Sequence, residues 1–115
     1  MKDFLVLYMS PVSVVDEWKK KSAEERKPEE EKMMTEWKNW MAKNAQRFSN
    51  MGAGAGKTKR VTAQGVSDVR NDVMLYAVVQ AESHDQAAQL FVGHPHLQIP
   101  QASIEIMEAN PLPRA

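Results

Sequence analysis

Strand-length apolar runs and stretches of helical spacing alternate along this chain, and their order predicts its elements. Phe4 to Met9 is an unbroken apolar run, with Phe4, Val6 and Tyr8 on one side and Leu5, Leu7 and Met9 on the other. A strand apolar on both sides needs cover on both faces. Ser10-Pro11 ends it, and Val12 to Lys21, carrying Trp18, reads as a short helical segment. Pro28 suits the first position of a helix, and Glu29, Glu30 and Glu31 suit the positive end of its dipole. From there Met33, Met34, Trp37, Trp40, Met41, Ala45 and Phe48 recur at helical spacing. This long helix is expected to end near Asn50, with Gly52 as its stop signal.

Gly52 to Gly56 then reads as a flexible connector, Lys57 to Ala63 as a short strand, and Gln64 to Asp72 as turn and loop. Val73 to Glu82 is the clearest strand: Val73, Leu75, Ala77, Val79 and Ala81 share a face, and Met74, Tyr76 and Val78 make much of the other face apolar. Ser83 caps a second helix, with Gln86 completing a capping box and Ala87, Ala88, Leu90 and Phe91 as the inner face. Gly93 suits the left-handed position that closes a helix. Ala102 to Ala109 forms a last strand, with Ile104 and Ile106 on one face, and the tail Asn110 to Pro113 is extended.

The order is βαββαβ, the ferredoxin-like split arrangement. The expected fold is therefore α+β: one domain over residues 1–115, a four-stranded antiparallel sheet, and both helices on one face. The other face is too apolar for water. Two such sheets packing face to face would form a homodimer.

Composition narrows the partners. Fifteen basic residues balance fifteen acidic ones, so no net field draws the chain to nucleic acid or an anionic membrane. With no cysteine, disulfides, thiolate nucleophiles and zinc–thiolate sites are excluded. The apolar run at the start is too short for a signal peptide or a membrane span, and a soluble, cytoplasmic protein is expected. Eight methionines against three phenylalanines imply an adaptable apolar surface.

Several segments resemble the YCII-related family, including its DGPF-domain branch. They are Phe4-Leu5-Val6-Leu7, Trp37-Lys38-Asn39-Trp40-Met41, Leu75-Tyr76-Ala77-Val78-Val79, and the ending His94-Pro95-His96-Leu97 with Ala102-Ser103-Ile104-Glu105-Ile106. The resemblance spans nearly the whole chain through short motifs, the ending being the most specific. It departs in the middle: the branch has Asp-Gly-Pro-Phe where this chain has Ser67 to Asp72. The resemblance implies a dimeric α+β barrel. Some YCII-like proteins are lyases on chlorinated aromatic compounds, with a His–Asp pair as the proposed catalytic element. Here the histidine's helix position is held by Trp37 or Trp40, and the aspartate before the proline by His94.

Two candidate sites follow. His94 and His96 could act as acid and base near neutral pH, since an unperturbed imidazole titrates at about 6.5. With Glu105 or His84 they could also bind a metal, although the spacing matches no metal motif and neither a metal nor a cofactor is expected. The plainer account is loop histidines satisfying a helix end. Tyr8, Trp37, Trp40 and Met41, with Trp18 nearby, could line a pocket for a planar ligand, or Trp37 and Met41 could simply be the core stripe of the helix.

Gly52 to Thr58 ends like a phosphate loop in Gly56-Lys57-Thr58. Met51 stands where the first glycine is required, and the stretch follows a helix rather than a strand. Lys57, Lys59 and Arg60 read as protective charges on an edge strand. Asp16 to Lys32 holds seven acidic and six basic residues, a solvated helical face. The functional expectation is a YCII-like small-molecule binder, with His94 or His96 serving a cofactor-independent lyase or isomerase step. The alternative is a non-catalytic binding or regulatory module acting through its dimer surface.

Overall fold

A computed structural model describes residues 1–113; Arg114 and Ala115, the end of the expected domain, lie outside the described residues. Strand β1 (Lys2–Met9) organises the architecture. It pairs on one side with β5 (Val73–Ala81) and on the other with β6 (Ser103–Glu108). Strand β2 (Phe48–Gly54) adds to the far side of β5, so the order is β2-β5-β1-β6 with every neighbour antiparallel. Strands β3 (Thr58–Thr62) and β4 (Gly65–Val69) form a separate two-stranded hairpin. Three helices complete the α+β fold: α1 (Val12–Lys20), α2 (Ala23–Asn44) and α3 (His84–Leu90).

The alternation in β1 decides the two faces. Phe4, Val6 and Tyr8 are buried beneath the helices with Ala77, Val79, Ala81, Ala87 and Phe91. Trp37, Trp40, Phe48, Leu75, Ile104 and Ile106 pack around this core. Leu5, Leu7 and Val78 lie on the opposite face, only half-buried, beside the more exposed Tyr76 and Met107. The chain spans 51 × 45 × 19 Å. Packed layers stand about 10 Å apart, so the short dimension holds a sheet and one helical layer. The radius of gyration is 16.2 Å, against about 13 Å for a compact domain of this length.

Four local expectations change. Helix α2 starts at Ala23, not Pro28, because Ser22 and Glu25 form a reciprocal capping box: the Glu25 N–H donates to Ser22 Oγ at 3.1 Å, and the Ser22 N–H reaches Glu25 Oε1 at 3.5 Å. Pro28 sits inside the helix. The helix stops at Asn44, and residues 48–54, expected as helix end and connector, are an edge strand.

Its pairing with β5 is interrupted twice. Gly52, at φ +73°, is pressed so closely to β5 that an added Cβ would lie 1.6 Å from the Tyr76 carbonyl oxygen, which is why only glycine serves there. The strand expected at 57–63 is present but belongs to the hairpin, partnered by the stretch expected as loop. Last, the β1–β5 register slips between Tyr8 and Met9, so Met9 pairs with Val73, and Met74 is the extra residue. Met74 thereby leaves the alternation expected of it.

Candidate functional site

His94-Pro95-His96 is built as a cap. A residue before proline prefers extended backbone, and His94 has φ −60°, ψ 142°. Pro95 then opens a 3-10 turn, Pro95–Gln98, where its missing N–H costs nothing. The His96 backbone N–H donates to His94 Nδ1 at 3.0 Å, the role usually filled by Asp, Asn or Ser. Accepting at Nδ1 leaves the proton of the neutral His94 ring on Nε2, and that atom is buried without a hydrogen-bond partner. His96 Nε2 lies 2.9 Å from the Met9 carbonyl oxygen, and since a carbonyl only accepts, Nε2 donates.

Both rings are sealed, at 1% exposure each. His94 lies with ring centroids 4.5 Å from Trp37, 4.4 Å from Trp40, 5.3 Å from Tyr8 and 5.9 Å from Phe91. His96 stands edge-on to Tyr8 at 5.5 Å. Removal from water pushes the His94 pKa down to about 4, helped by the neighbouring His96. Burial lowers His96 as well, opposed by the backbone of Met9 and Ser103. Burial raises the Tyr8 hydroxyl above its ordinary range. Near neutral pH the cluster is therefore uncharged.

Four expected site residues, Tyr8, Trp37, Trp40 and His94, are thus brought together, with His96 against Tyr8. Met41 is half-buried on the same helix. The possible metal partners are not. His84 stacks on Phe4 at 5.4 Å and lies 2.8 Å from the Ile106 carbonyl oxygen, toward the other end of β1. Glu105 pairs with Leu7 and falls on the open face. Among the described residues no three His, Cys, Asp or Glu side chains gather as a metal site would require.

Beside this cluster runs an open groove of about 1310 Å³, bounded by α1, the first half of α2, Met74 and the segment Gln98-Ile99-Pro100. Its apolar wall comprises Val14, Val15, Trp18, Met33, Met34, Trp37 and Met74, with lysines and glutamates along the rim. Lys20 pairs with Glu17 at 2.9 Å and Lys21 with Glu29 at 3.8 Å, which satisfies much of that rim. Asp16 and Arg70 form a two-pronged pair at 2.7 and 3.1 Å, and Asp72 accepts from the Ser10 and Val12 N–H groups, tying α1 to the base of the hairpin.

Trp37 belongs to both places: it lines the groove and touches His94. Tyr8, Trp40, Met41, His94 and His96 do not line the groove. Sequence reasoning passed over Met33, Met34 and Met74 as groove residues, although the methionine excess was the signal for them.

A scan of protein-family models finds no match to this chain, and a search of curated proteins finds no significant match. No helix of the described residues is long and apolar enough to cross a membrane.

Proposed function

We propose that the chain is a small-molecule-binding protein whose ligand occupies the groove between α1, α2 and Met74. The observation that carries this is the groove's apolar wall, Trp18, Met33, Met34, Trp37 and Met74, set beneath a polar rim. Ligand sites are concave, mainly apolar, and oriented by a few polar groups. Flexible thioethers beside indole rings suit a flat, apolar ligand of variable outline.

A second reading is acid–base chemistry at His94, and it is favoured by one observation: the proton-bearing Nε2 is buried without a partner, one indole away from the groove. A rotation of Trp37 would bring it to a ligand. There the neutral ring would donate a hydrogen bond from Nε2, and it would act as an acid only after taking up a proton on Nδ1 and giving up the cap.

We further infer a ferredoxin-like, YCII-like domain that dimerises through its open sheet face. The strand order β2-β5-β1-β6 and the apolar Leu5, Leu7, Val78 and Tyr76 on that face support this reading. Leu7→Asp should remove the sheet-face contact and lower the sedimentation coefficient in analytical ultracentrifugation; an unchanged sedimentation profile would reject that interface.

The binding reading is tested by a thermal-shift screen of small aromatic acids and lactones on wild type, Met33→Ala and His94→Asn. A ligand of the folded state raises stability by mass action, about 2.7 kcal/mol at a hundred times Kd. Stabilisation lost in Met33→Ala and kept in His94→Asn supports a groove binder. Loss in both, with turnover of the compound by wild type only, supports the histidine reading. No stabilisation by any compound leaves the dimer surface as the acting part.

A further inference from the structure

Beyond its base, where Arg70 pairs with Asp16, the β3–β4 hairpin stands clear of the body. Residues 59–68 are all exposed, and the two strands make no substantial contact with any other element. Val61 and Val66, paired across the hairpin, are 76% and 66% exposed. An isolated two-stranded hairpin is at best marginally stable in water, and cross-strand valines stabilise it only when covered. Five residues of strand reach about 17 Å from the body, the length of an arm.

The groove has the complementary deficit. Its volume of about 1310 Å³ exceeds the ~300–1,000 Å³ typical of a small-ligand pocket, and its outer part stays open. The charges also match. Residues 57–69 of the arm hold three cations against one carboxylate, and Lys59 is already paired with Asp68 at 2.6 Å, leaving Lys57 and Arg60 without an ion-pair partner among the described residues. The first part of α2, residues 23–36, holds six carboxylates against three cations. Of these, Glu24, Glu25, Glu30 and Glu31 lack an ion-pair partner among the described residues, and Glu25 and Glu30 line the groove.

We propose that the β3–β4 arm of one protomer lies across the groove of a second copy of this chain, with Val61 and Val66 against the methionine wall and Lys57 and Arg60 beside Glu30 and Glu31. The exchange is reciprocal, as a two-fold dimer requires. The arm roofs the outer trough and leaves a smaller enclosed chamber against Trp37 and Met74, so the site is incomplete without the partner. This inference builds on the groove as the ligand site, yet its test does not depend on any ligand.

Because the chain contains no cysteine, single-cysteine variants give clean cross-links. Val61→Cys and Met33→Cys proteins are mixed and oxidised gently, with Val92→Cys, exposed and outside the groove, replacing Met33→Cys as control. The expected result is a mixed cross-linked dimer at least tenfold above the control. Hydrogen exchange at residues 58–69 should also slow at least tenfold between dilute and concentrated protein. Cross-linking at the control level, or an arm that exchanges freely at every concentration, overturns the proposal. So does a cross-link that forms within a Val61→Cys/Met33→Cys double variant but not between the mixed single variants, which would put the arm on its own groove. Salt-sensitive protection of the arm by added RNA, without the mixed cross-link, would instead make the arm a nucleic-acid contact. Ligand stabilisation in the thermal-shift screen is read separately, so the arm and the ligand site can fail independently.

Discussion

Two regions meet at Trp37, and they are built by opposite means. On the sheet side, His94, His96, Tyr8, Trp40 and Phe91 form a dry cluster in which rings touch on several sides. On the solvent side, Met33, Met34, Trp18 and Met74 line a trough with nothing across it. The histidines looked like the chemistry of this chain, and the methionines like an adaptable apolar surface with no place assigned to it. The packing suggests the opposite division of labour. Titratable groups that are sealed, neutral and engaged in capping hold the loop in shape, while loosely packed thioethers stay free to adapt to something else.

The largest expected effect is a truncation inside the dry cluster. Phe91 is 2% exposed and packs against Tyr8, Trp40, Phe48 and His94. Removing a buried aromatic costs its transfer free energy and leaves a cavity, so Phe91→Ala should lower stability by about 3–5 kcal/mol. Urea denaturation reads this directly. A loss below about 1 kcal/mol would mean that the cluster is not the rigid half of the pair, and the contrast would collapse.

Acid should act on the same region. The unfolded His94 ring takes up a proton at about pH 6.5, whereas the folded ring resists until about 4. Above both values neither state is charged, and His94 contributes no pH dependence. Between them the unfolded state holds a proton that the folded state lacks, so stability falls as pH drops. Across that window the loss is about 3 kcal/mol, to which His96 adds in the same direction. Below the folded value both states are protonated and this group adds nothing further. Carboxylates also titrate there, so the decisive quantity is the difference between wild type and His94→Asn, whose side-chain oxygen keeps the capping acceptor without titrating. Wild type should lose more stability than the variant between about pH 7 and pH 4.5. Parallel curves would mean that His94 reaches water.

How much of this was legible follows from where each signal resides. Strands β1 and β5 carry strong apolar runs and were visible, as were the Ser83 cap of α3, whose Oγ accepts from the Gln86 N–H at 3.1 Å, and Gly93 at φ +78°. Strand β2 was hidden because Phe48-Ser49-Asn50-Met51-Gly52 has neither alternation nor β-branched residues; its partner β5 recruits it, and two register breaks accommodate it. The start of α2 was legible in Ser22 and Glu25, but Pro28 was the louder signal.

The same holds for the site. His94 and His96 were expected beside Tyr8 and Trp37 between the sheet and the long helix, but their burial was not legible. Whether an imidazole faces a cavity or a wall depends on Trp37 and Trp40, residues more than fifty positions earlier in the chain. The groove draws on α1, α2, β5 and the segment after the histidines at once, and no local pattern announces such a convergence.

The smallest expected effect on stability belongs to the trough, and it tests the comparison from the other side. Met34 is 61% exposed while lining the groove. Exposed side chains away from packed features change stability by no more than about 0.5 kcal/mol when truncated, so in protein dilute enough that no second copy's arm lies across the groove, Met34→Ala should melt like wild type. A compound that stabilises wild type through the groove should nonetheless stabilise the variant less, because an apolar ligand loses contact area when the thioether goes. A residue nearly silent in folding and audible in binding is what a surface kept for a ligand requires. If Met34→Ala instead destabilised the dilute, unliganded protein by several kcal/mol, the trough would already be filled within one chain, by a rearranged α1 or by the chain's own arm. The groove would then be core, and the division between sealed histidines and open methionines would have to be redrawn.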